Sequence, residues 1–366
     1  MLVGFCASKS ANAQVQNAVS QAENESRTYR RMVDRSVEYL RFRGQAEDGS
    51  FSSQAGIGPT GLVVAGLLSV GVPVNDPMLV KALDYLERHV QPNGGIYSDD
   101  SQHRNYDTCI ALMAFAKANQ SGNYSAIMAK GESFVRGIQW DESEDKDPSD
   151  LFYGGAGYGS HSRPDLSNTA FFIEALKSLG ADEDDADIQK ALLFVSRCQN
   201  LEGPHNTTEF ASKINDGGFY YTIAAGGETK SDVAPNGGLR SYGSMTYAGL
   251  KSMIYAGVSK DDPRVKAATD FLRKHYDLES NPGVGHQGLF YYYHTMSKTL
   301  KALGDDRFLD SSGESHQWKS ELRNKLASVQ QPDGSWVNQT TRWMEGDPNL
   351  VCGYTLLALA NCAPAE

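Results

Sequence analysis

Clusters of aromatic, cationic and carboxylate side chains precede several helical segments of this sequence. The densest is the run Tyr291-Tyr292-Tyr293-His294, which leads directly into a helical pattern. Aromatic faces can contact an apolar ligand or a developing cation, and pockets that combine aromatic rings with a few polar groups bind small molecules. We therefore predict a binding pocket at these clusters. Its candidate ligand-binding residues are Tyr158, His161, Arg163, Asn168, Arg240, Ser244, Tyr291, Tyr292, Arg342 and Trp343.

Three carboxylates stand at or just before helix starts, namely Asp107, Asp165 and Glu345. Together with His294 they are the candidate catalytic residues. A pair of carboxylates at a suitable separation can hydrolyse a glycosidic bond, and the separation decides the mechanism. A carbohydrate-active enzyme is therefore one function that these residue types leave open.

A sequence repeat positions these residues. Its clearest copy is Arg163–Gly180, in which cap-type polar residues precede an apolar helical pattern and a glycine follows it. The same eleven-residue spacing from threonine to glycine occurs at Thr60/Gly71, Thr169/Gly180 and Thr246/Gly257. A unit that recurs along a chain indicates a ring or an array.

The turns of the repeat share a second pattern, in which a glutamine is followed by a glycine four residues later and an aromatic six residues later. It occurs at Gln45/Gly49/Phe51, Gln91/Gly95/Tyr97 and Gln330/Gly334/Trp336. The glycine gives the backbone freedom that a tight turn needs, and we expect the glutamine to satisfy turn amides. Each unit therefore comprises an outer helix, a glycine-rich turn and an inner helix.

Six such units predict twelve helices. An open solenoid would need polar caps at its ends, but the last inner segment, Asn349–Cys362, is as apolar as the middle ones. We therefore predict an all-α fold, a closed six-hairpin α/α toroid with inner and outer rings and long glycine-rich loops at one mouth. Residues 27–363 form this single domain, and residues 1–26 lie outside it as a signal or disordered segment.

The turns of the form Gln-x-x-Asp-Gly-Ser-aromatic, at Gln45–Phe51 and Gln330–Trp336, occur together with inner helices of the form Asn-Thr-Ala, as at Asn168–Ala170. They resemble the prenyltransferase and squalene-cyclase repeat, over about residues 28–362. That family includes terpenoid cyclases and protein prenyltransferases, which share the α/α toroid. The resemblance implies a protein that binds an isoprenoid or another apolar ligand in its central cavity.

The sequence departs from the cyclases of that family at the acid that starts their reaction. Asp165–Ala170 matches the cyclase motif DxDDTA at its first aspartate, threonine and alanine. The acidic middle position is Ser167, and the next is Asn168. Because a serine hydroxyl is too weak an acid to protonate an alkene, protonation-initiated cyclisation is disfavoured. A literal Asp-Glu-Asp-Asp string at Asp182–Asp185 follows the inner helix, where we expect it to cap the next outer helix.

The resemblance also implies a zinc site as a weaker alternative, since protein prenyltransferases hold zinc with an Asp-x-Cys pair and a later histidine. Asp107 and Cys109 provide the pair and His294 the imidazole, a ligand set that suits zinc. The spacing to His294 is longer than in the family, and an N-cap aspartate beside a small buried cysteine explains the pair equally well. We therefore predict no cofactor, with zinc as the alternative.

Composition excludes several classes of partner. The 366 residues carry a formal net charge of −11, which disfavours nucleic acid, and no apolar run approaches the roughly 20 residues of a membrane span. Peripheral membrane contact stays open, as does the oligomeric state.

Ala11-Asn12-Ala13 resembles a signal cleavage site, although a basic segment before it is missing. This favours an exported or periplasmic protein over a cytoplasmic one. A non-catalytic exported toroid that binds a ligand or a protein is accordingly the main alternative function.

Overall fold

A computed structural model describes residues 23–159 and 162–364. Secondary structure in this part of the chain is almost entirely helical. The helices are α1 (23–39), α2 (Gly58–Ser69), α3 (Pro77–Arg88), α4 (Arg104–Ala118), α5 (Ser125–Arg136), α6 (Leu166–Ser178), α7 (Ala186–Arg197), α8 (Ala211–Ile214), α9 (Gly243–Tyr255), α10 (Pro263–Lys274), α11 (Leu289–Leu303), α12 (Trp318–Val329) and α13 (Pro348–Asn361). Strands β1 (Phe308–Leu309) and β2 (Ser315–His316) form an antiparallel hairpin in which Phe308 lies opposite His316.

Six helices form an inner ring, and five of the others pack outside it. In chain order, α2, α4, α6, α9, α11 and α13 each pack against the next, and α13 packs against α2 to close the circle. The outer helices α3, α5, α7, α10 and α12 each contact an inner helix. Apolar residues of the inner and outer helices fill the layer between the two rings. The predicted α/α toroid and its closure without a polar cap are confirmed.

The described part of helix α1 includes residue 23, four residues before the domain boundary that we place at residue 27. Within it, the Glu25 carboxylate lies 2.6 Å from the Arg323 guanidinium of α12, which ties the first outer helix to the last. The predicted cleavage site at Ala11–Ala13 lies outside the described residues.

The repeated glutamines anchor the turns through carbonyl groups. The Gln45 side-chain amide donates to the carbonyl of Gly49 at 3.1 Å and to that of Met78, at the start of the next outer helix, at 2.8 Å. Gln330 makes the same pair of bonds to Gly334 and Met32, both at 2.9 Å. We expected the glutamines to satisfy turn amides, but Gln45 and Gln330 satisfy turn carbonyls and link their units to a neighbour. Gln91 instead donates to the Tyr97 carbonyl and the Asp99 carboxylate of its own turn.

The repeated threonines connect each turn to its inner helix. The Thr60 hydroxyl accepts a hydrogen bond from the backbone amide of the turn aromatic Phe51 at 2.9 Å, and Thr246 accepts one from Phe219 at 3.0 Å. Thr108 and Thr169 accept equivalent bonds from Ile96 and Ala156. These amides are buried, so each threonine removes an unsatisfied donor.

We expect Thr246→Val to lower the free energy of unfolding by about 1–3 kcal/mol, because the Phe219 amide would remain buried without an acceptor. Urea denaturation at neutral pH measures the change. Thr269→Val is the matched control, since the Thr269 hydroxyl bonds only the Val265 carbonyl of its own helix; it should alter stability by less than about 0.5 kcal/mol. Equal losses of stability in the two variants would contradict the role of Thr246 as the acceptor of the Phe219 amide.

Candidate functional site

The starts of the inner helices surround a cavity of about 280 Å³ at one mouth of the toroid. Inner helices run in the same direction, so their first turns meet at one end. The cavity is lined by Ala55, Pro59, His103, Tyr106, Tyr158, Ser167, Asn168, Phe171, Tyr221, Lys230, Tyr242, Ser244, Met245, Tyr291, Trp343, Met344, Glu345, Leu350 and Tyr354. Aromatic rings and apolar side chains dominate this surface.

Rings from four inner helices contact one another around the cavity. Phe171 of α6 lies edge-on to Tyr106 of α4, with ring centroids 5.3 Å apart, and 6.2 Å from Tyr291 of α11. Tyr291 in turn packs edge-on against Tyr354 of α13 at 5.7 Å. The Tyr106 and Tyr354 hydroxyls are 3.1 Å apart. The wall therefore exposes both ring faces and neutral hydroxyl groups to the cavity.

Ser167, whose position we predicted to match that of the cyclase acid, lies on this wall. Its hydroxyl is 3.0 Å from the Tyr291 hydroxyl, and both residues line the cavity. The pair is neutral, because neither hydroxyl ionises near neutral pH, and burial raises the pKa of Tyr291 further. This part of the cavity therefore offers hydrogen bonds without a charge.

Asp165 caps α6 from behind the cavity wall. Its carboxylate accepts hydrogen bonds from the Asn168 backbone amide at 2.9 Å and from the Asn168 side chain at 2.7 Å. Burial raises the Asp165 pKa to about 6, although hydrogen bonds from Asn168 and Tyr221 oppose the rise. Asn168 and Tyr221 themselves line the cavity, so they connect it to a buried carboxyl group that can hold a proton near pH 6.

The other two candidate carboxylates cap helices of neighbouring units. Asp107 accepts a hydrogen bond from the Gly58 amide at the start of α2 at 3.1 Å and one from the Ser101 hydroxyl at 2.7 Å. Glu345 accepts one from the Tyr291 amide at the start of α11 at 2.7 Å. Burial raises the pKa of both, that of Asp107 to about 6. Glu345 also lines the cavity, whereas Asp107 does not.

His294 lies below the cavity and does not line it. Its ring is 5.6 Å from that of Tyr354, which forms part of the wall. Burial, together with the charge of Lys251, lowers the His294 pKa to about 3. The four catalytic candidates are therefore distributed around the cavity rather than gathered at one point.

The predicted ligand-binding residues divide between the cavity and its surroundings. Tyr158, Asn168, Ser244, Tyr291 and Trp343 line it. Four others lie outside the lining. Arg163 pairs with Glu228, and Arg240 is exposed. Tyr292 is buried and its hydroxyl donates to the Asp277 carbonyl, whereas Arg342 stacks on the Trp343 ring. His161 lies outside the described residues.

Residues that we did not predict complete the wall, notably Tyr106 and Tyr354. The repeat contains a signal for them. Two units have another residue, Tyr293 or Cys352, in place of the repeated threonine. In five units the residue two positions before this site lines the cavity, namely Tyr106, Ser167, Ser244, Tyr291 and Leu350. The residue one position before the threonine lines the cavity in three units, at Pro59, Asn168 and Met245. The register two positions before the threonine would have predicted Tyr106 as a lining residue. Tyr354 lies one helical turn after Leu350, on the same face of α13.

A short turn covers part of the cavity mouth. Trp343 and Met344 both have left-handed backbone conformations, with φ of 56° and 63°, and both side chains line the cavity while remaining partly exposed to solvent. Left-handed φ in bulky residues is strained and persists only where surrounding contacts enforce it. The loop at Thr341–Glu345 is therefore held in a shape that directs two apolar side chains over the opening.

The three residues of the alternative zinc set do not form a cluster. Asp107 holds the Gly58 amide, the buried Cys109 thiol donates to Asn105 at 3.2 Å, and His294 lies against Tyr354. Among residues 23–159 and 162–364, the ligand atoms of three potential metal-binding side chains approach within 4.8 Å of one another at Asp310, Glu314 and His316, on the β-hairpin.

Comparison with family models and with curated protein sequences finds no match. Solved structures do resemble this fold. The apo structure of the type II terpene cyclase MstE from Scytonema superposes with a TM-score of 0.54 and 13% identity, over 92% of this chain and 98% of that one. A polysaccharide lyase superposes with a TM-score of 0.53 and 12% identity, over 91% and 96% of the two chains. Likeness at this identity establishes a terpenoid-cyclase-like α/α toroid, and the same fold carries different chemistries.

None of the helices in the described part of the chain has the length and apolar character needed to cross a bilayer.

The raised pKa of Asp165 predicts a pH dependence of stability. Because the folded carboxyl keeps its proton up to about pH 6 while the unfolded one loses it near pH 3.9, the folded state binds more protons between these values. The Asp165 contribution to the free energy of unfolding therefore falls as the pH rises from about 4 to about 6.

We expect Asp165→Asn to remove this fall, so that the variant gains stability relative to the parent as the pH rises through that window. The amide oxygen can still cap α6. The Asn168 side-chain oxygen, which has no hydrogen-bond partner among the described residues, can accept from the new amide. Urea denaturation at pH 4.5 and pH 7 measures the difference. Asp185→Asn is the control: hydrogen bonds from Arg136 and the α7 amides lower the Asp185 pKa, so this group titrates below about pH 4 and the variant's stability relative to the parent should hardly change between pH 4.5 and pH 7. An unchanged profile for Asp165→Asn would contradict the assignment.

Proposed function

We propose that this protein binds an isoprenoid or a similar elongated apolar ligand in the central cavity of the toroid. The observation that carries the proposal is the aromatic wall, in which Tyr106, Phe171, Tyr291 and Tyr354 face one cavity. Ring faces bury large apolar area and interact favourably with alkenes and cations. The likeness of the fold to a type II terpene cyclase supports a terpenoid ligand.

The polar groups of the cavity suit a ligand with one weakly polar end. The Ser167–Tyr291 and Tyr106–Tyr354 hydroxyl pairs can each donate to or accept from a hydroxyl or carbonyl group. Phe171, Met245 and Leu350 add apolar surface to the lining, which disfavours a strongly hydrated ligand.

We infer that the bound ligand is not protonated from the Ser167 position. A serine hydroxyl there, paired with a tyrosine, provides no acid strong enough to transfer a proton to an alkene. If the protein turns over its ligand, two carboxyl groups with raised pKa values can supply or remove a proton: Glu345, which lines the cavity, and Asp165, through the hydrogen bond of Tyr221. Ligand binding is therefore the primary proposal.

A carbohydrate-active function remains the second candidate, because a polysaccharide lyase has the same fold. His103, Tyr158 and Lys230 all line the cavity: the His103 and Tyr158 rings are 4.9 Å apart, and the Lys230 ammonium, which pairs with Glu228, lies 4.3 Å from the Tyr221 ring centroid. Such groups can transfer protons at a sugar. This side of the cavity is the one that an acidic sugar would contact.

We expect Phe171→Ala to weaken the binding of geranylgeraniol about tenfold, because one aromatic contact with a buried ligand contributes on the order of 1–2 kcal/mol. Quenching of the fluorescence of Trp343, which lines the cavity, provides the readout, with isothermal titration calorimetry as a second measure.

Phe42→Ala is the matched control, because Phe42 is highly exposed on the outer ring, and it should bind geranylgeraniol as the parent does. An acidic oligosaccharide is the competing probe. Saturable binding of the oligosaccharide without binding of geranylgeraniol would overturn the proposal in favour of the second candidate.

A further inference from the structure

A group of charged side chains lies on the toroid axis below the cavity. This axial lysine cluster consists of Lys117, Lys251, Lys298 and Lys301, together with the carboxylate of Glu174. The Lys251 ammonium is 2.5 Å from one Glu174 oxygen, and Lys298 bonds the other. The side chains of Lys251 and Glu174 are each only 3% exposed. Two ammonium groups therefore share one buried carboxylate.

The cluster occupies the same inward face as the cavity wall. On α11 the residues Tyr291, Lys298 and Lys301 follow one another at helical spacing, and Tyr291 lines the cavity. On α6, Glu174 follows Phe171 by three residues. A helix rises 1.5 Å per residue. The ion pairs of Glu174 with Lys251 and Lys298 therefore lie about 5–10 Å below the aromatic wall of the cavity, towards the C-terminal ends of the inner helices.

Helix dipoles account for part of the cluster. Lys117 and Lys301 lie in the last turns of α4 and α11, where the partial negative charge of the helix end favours a cation. Lys251 and Lys298 lie a turn or more before the ends of their helices. Their only carboxylate partner among the described residues is Glu174, which leaves one positive charge uncompensated in a buried position.

The nearby histidine points to a missing partner at the same place. His294 precedes Lys298 by one helical turn, and the Lys251 charge acts on its ring. The side chain is 1% exposed, and neither ring nitrogen has a hydrogen-bond partner in the described structure. A buried imidazole without partners is costly. An acceptor located between His294 and the two lysines would satisfy the ring N–H and the excess charge together.

We propose that the axial lysine cluster binds a small inorganic oxyanion of the phosphate class, held by Lys251, Lys298 and His294. The anion enters from the end of the toroid opposite the cavity mouth. Lys117 and Lys301 are exposed there, and the Lys298 side chain is 22% exposed. This site does not depend on the ligand proposed for the cavity.

The competing arrangement has one lysine without its proton, so that Glu174 balances the other and no anion is required. Burial favours that state, because it lowers the pKa of Lys251 to about 7. Burial and the charges of Lys117 and Lys301 together lower the pKa of Lys298 to about 7 as well. The two arrangements differ in their response to phosphate, since a self-neutralised triad gains nothing from the anion.

The experiment measures thermal unfolding and isothermal titration of the full chain with inorganic phosphate, against sodium chloride at equal ionic strength. We expect phosphate to raise the melting temperature and to bind saturably. Lys298→Met should weaken phosphate binding at least tenfold, because it removes a buried charge contact. Lys266→Met is the matched control, since the Lys266 side chain is 58% exposed and pairs with Asp261; its phosphate affinity should match that of the parent.

Glu174→Gln tests the proposal independently of Lys298→Met. It can therefore be used even if Lys298→Met does not fold. Removing the carboxylate that competes for the lysines should tighten phosphate binding roughly tenfold. Equal responses of the parent to phosphate and chloride would overturn the proposal. Unchanged phosphate affinity in Glu174→Gln would also overturn it, because the anion would then bind elsewhere.

Discussion

The packing of α13 against α2 is the contact on which the central cavity depends. These helices come from opposite ends of the chain, and they approach closely because Gly353 and Gly66 lie at their interface: a Cβ on Gly353 would lie 3.0 Å from Leu62, and one on Gly66 2.9 Å from Leu356. Without this closure, the inward faces of six helices would line an open groove. Closure turns those faces into a wall around one enclosed space.

The fold could be predicted from sequence because its rules are local and repeated. Gln45, Gly49 and Thr60 perform their roles within one unit or towards the next one along the chain, so a single unit reveals the pattern and six copies reveal the ring. The cavity wall was predicted in part. Ser244 and Tyr291 belong to clusters at inner-helix starts whose composition indicated them. Tyr106 and Tyr354 could not be distinguished from core aromatics until the inward register was known.

The carboxylates show what sequence reasoning could not supply. Asp107 and Glu345 look like catalytic candidates because a charged residue near a helix start has no evident local partner. Their partners are the amides of Gly58 and Tyr291, which are 49 and 54 residues away. Each carboxylate caps the first turn of an inner helix in another unit. Such a relation exists only after the ring has closed, and capping alone explains why these positions are acidic.

These caps also determine the chemical character of the cavity. Backbone amides at the inner-helix starts would otherwise give the mouth a positive potential, but Asp107, Asp165 and Glu345 satisfy three sets of them from behind or beside the wall. The groups left to face the cavity are mainly rings and hydroxyls. Uncompensated charge is found instead at the other end of the axis, where Lys251 and Lys298 share Glu174. The ring thus separates an apolar, nearly neutral site from a cationic one, and the two ends of one set of helices are suited to chemically different ligands.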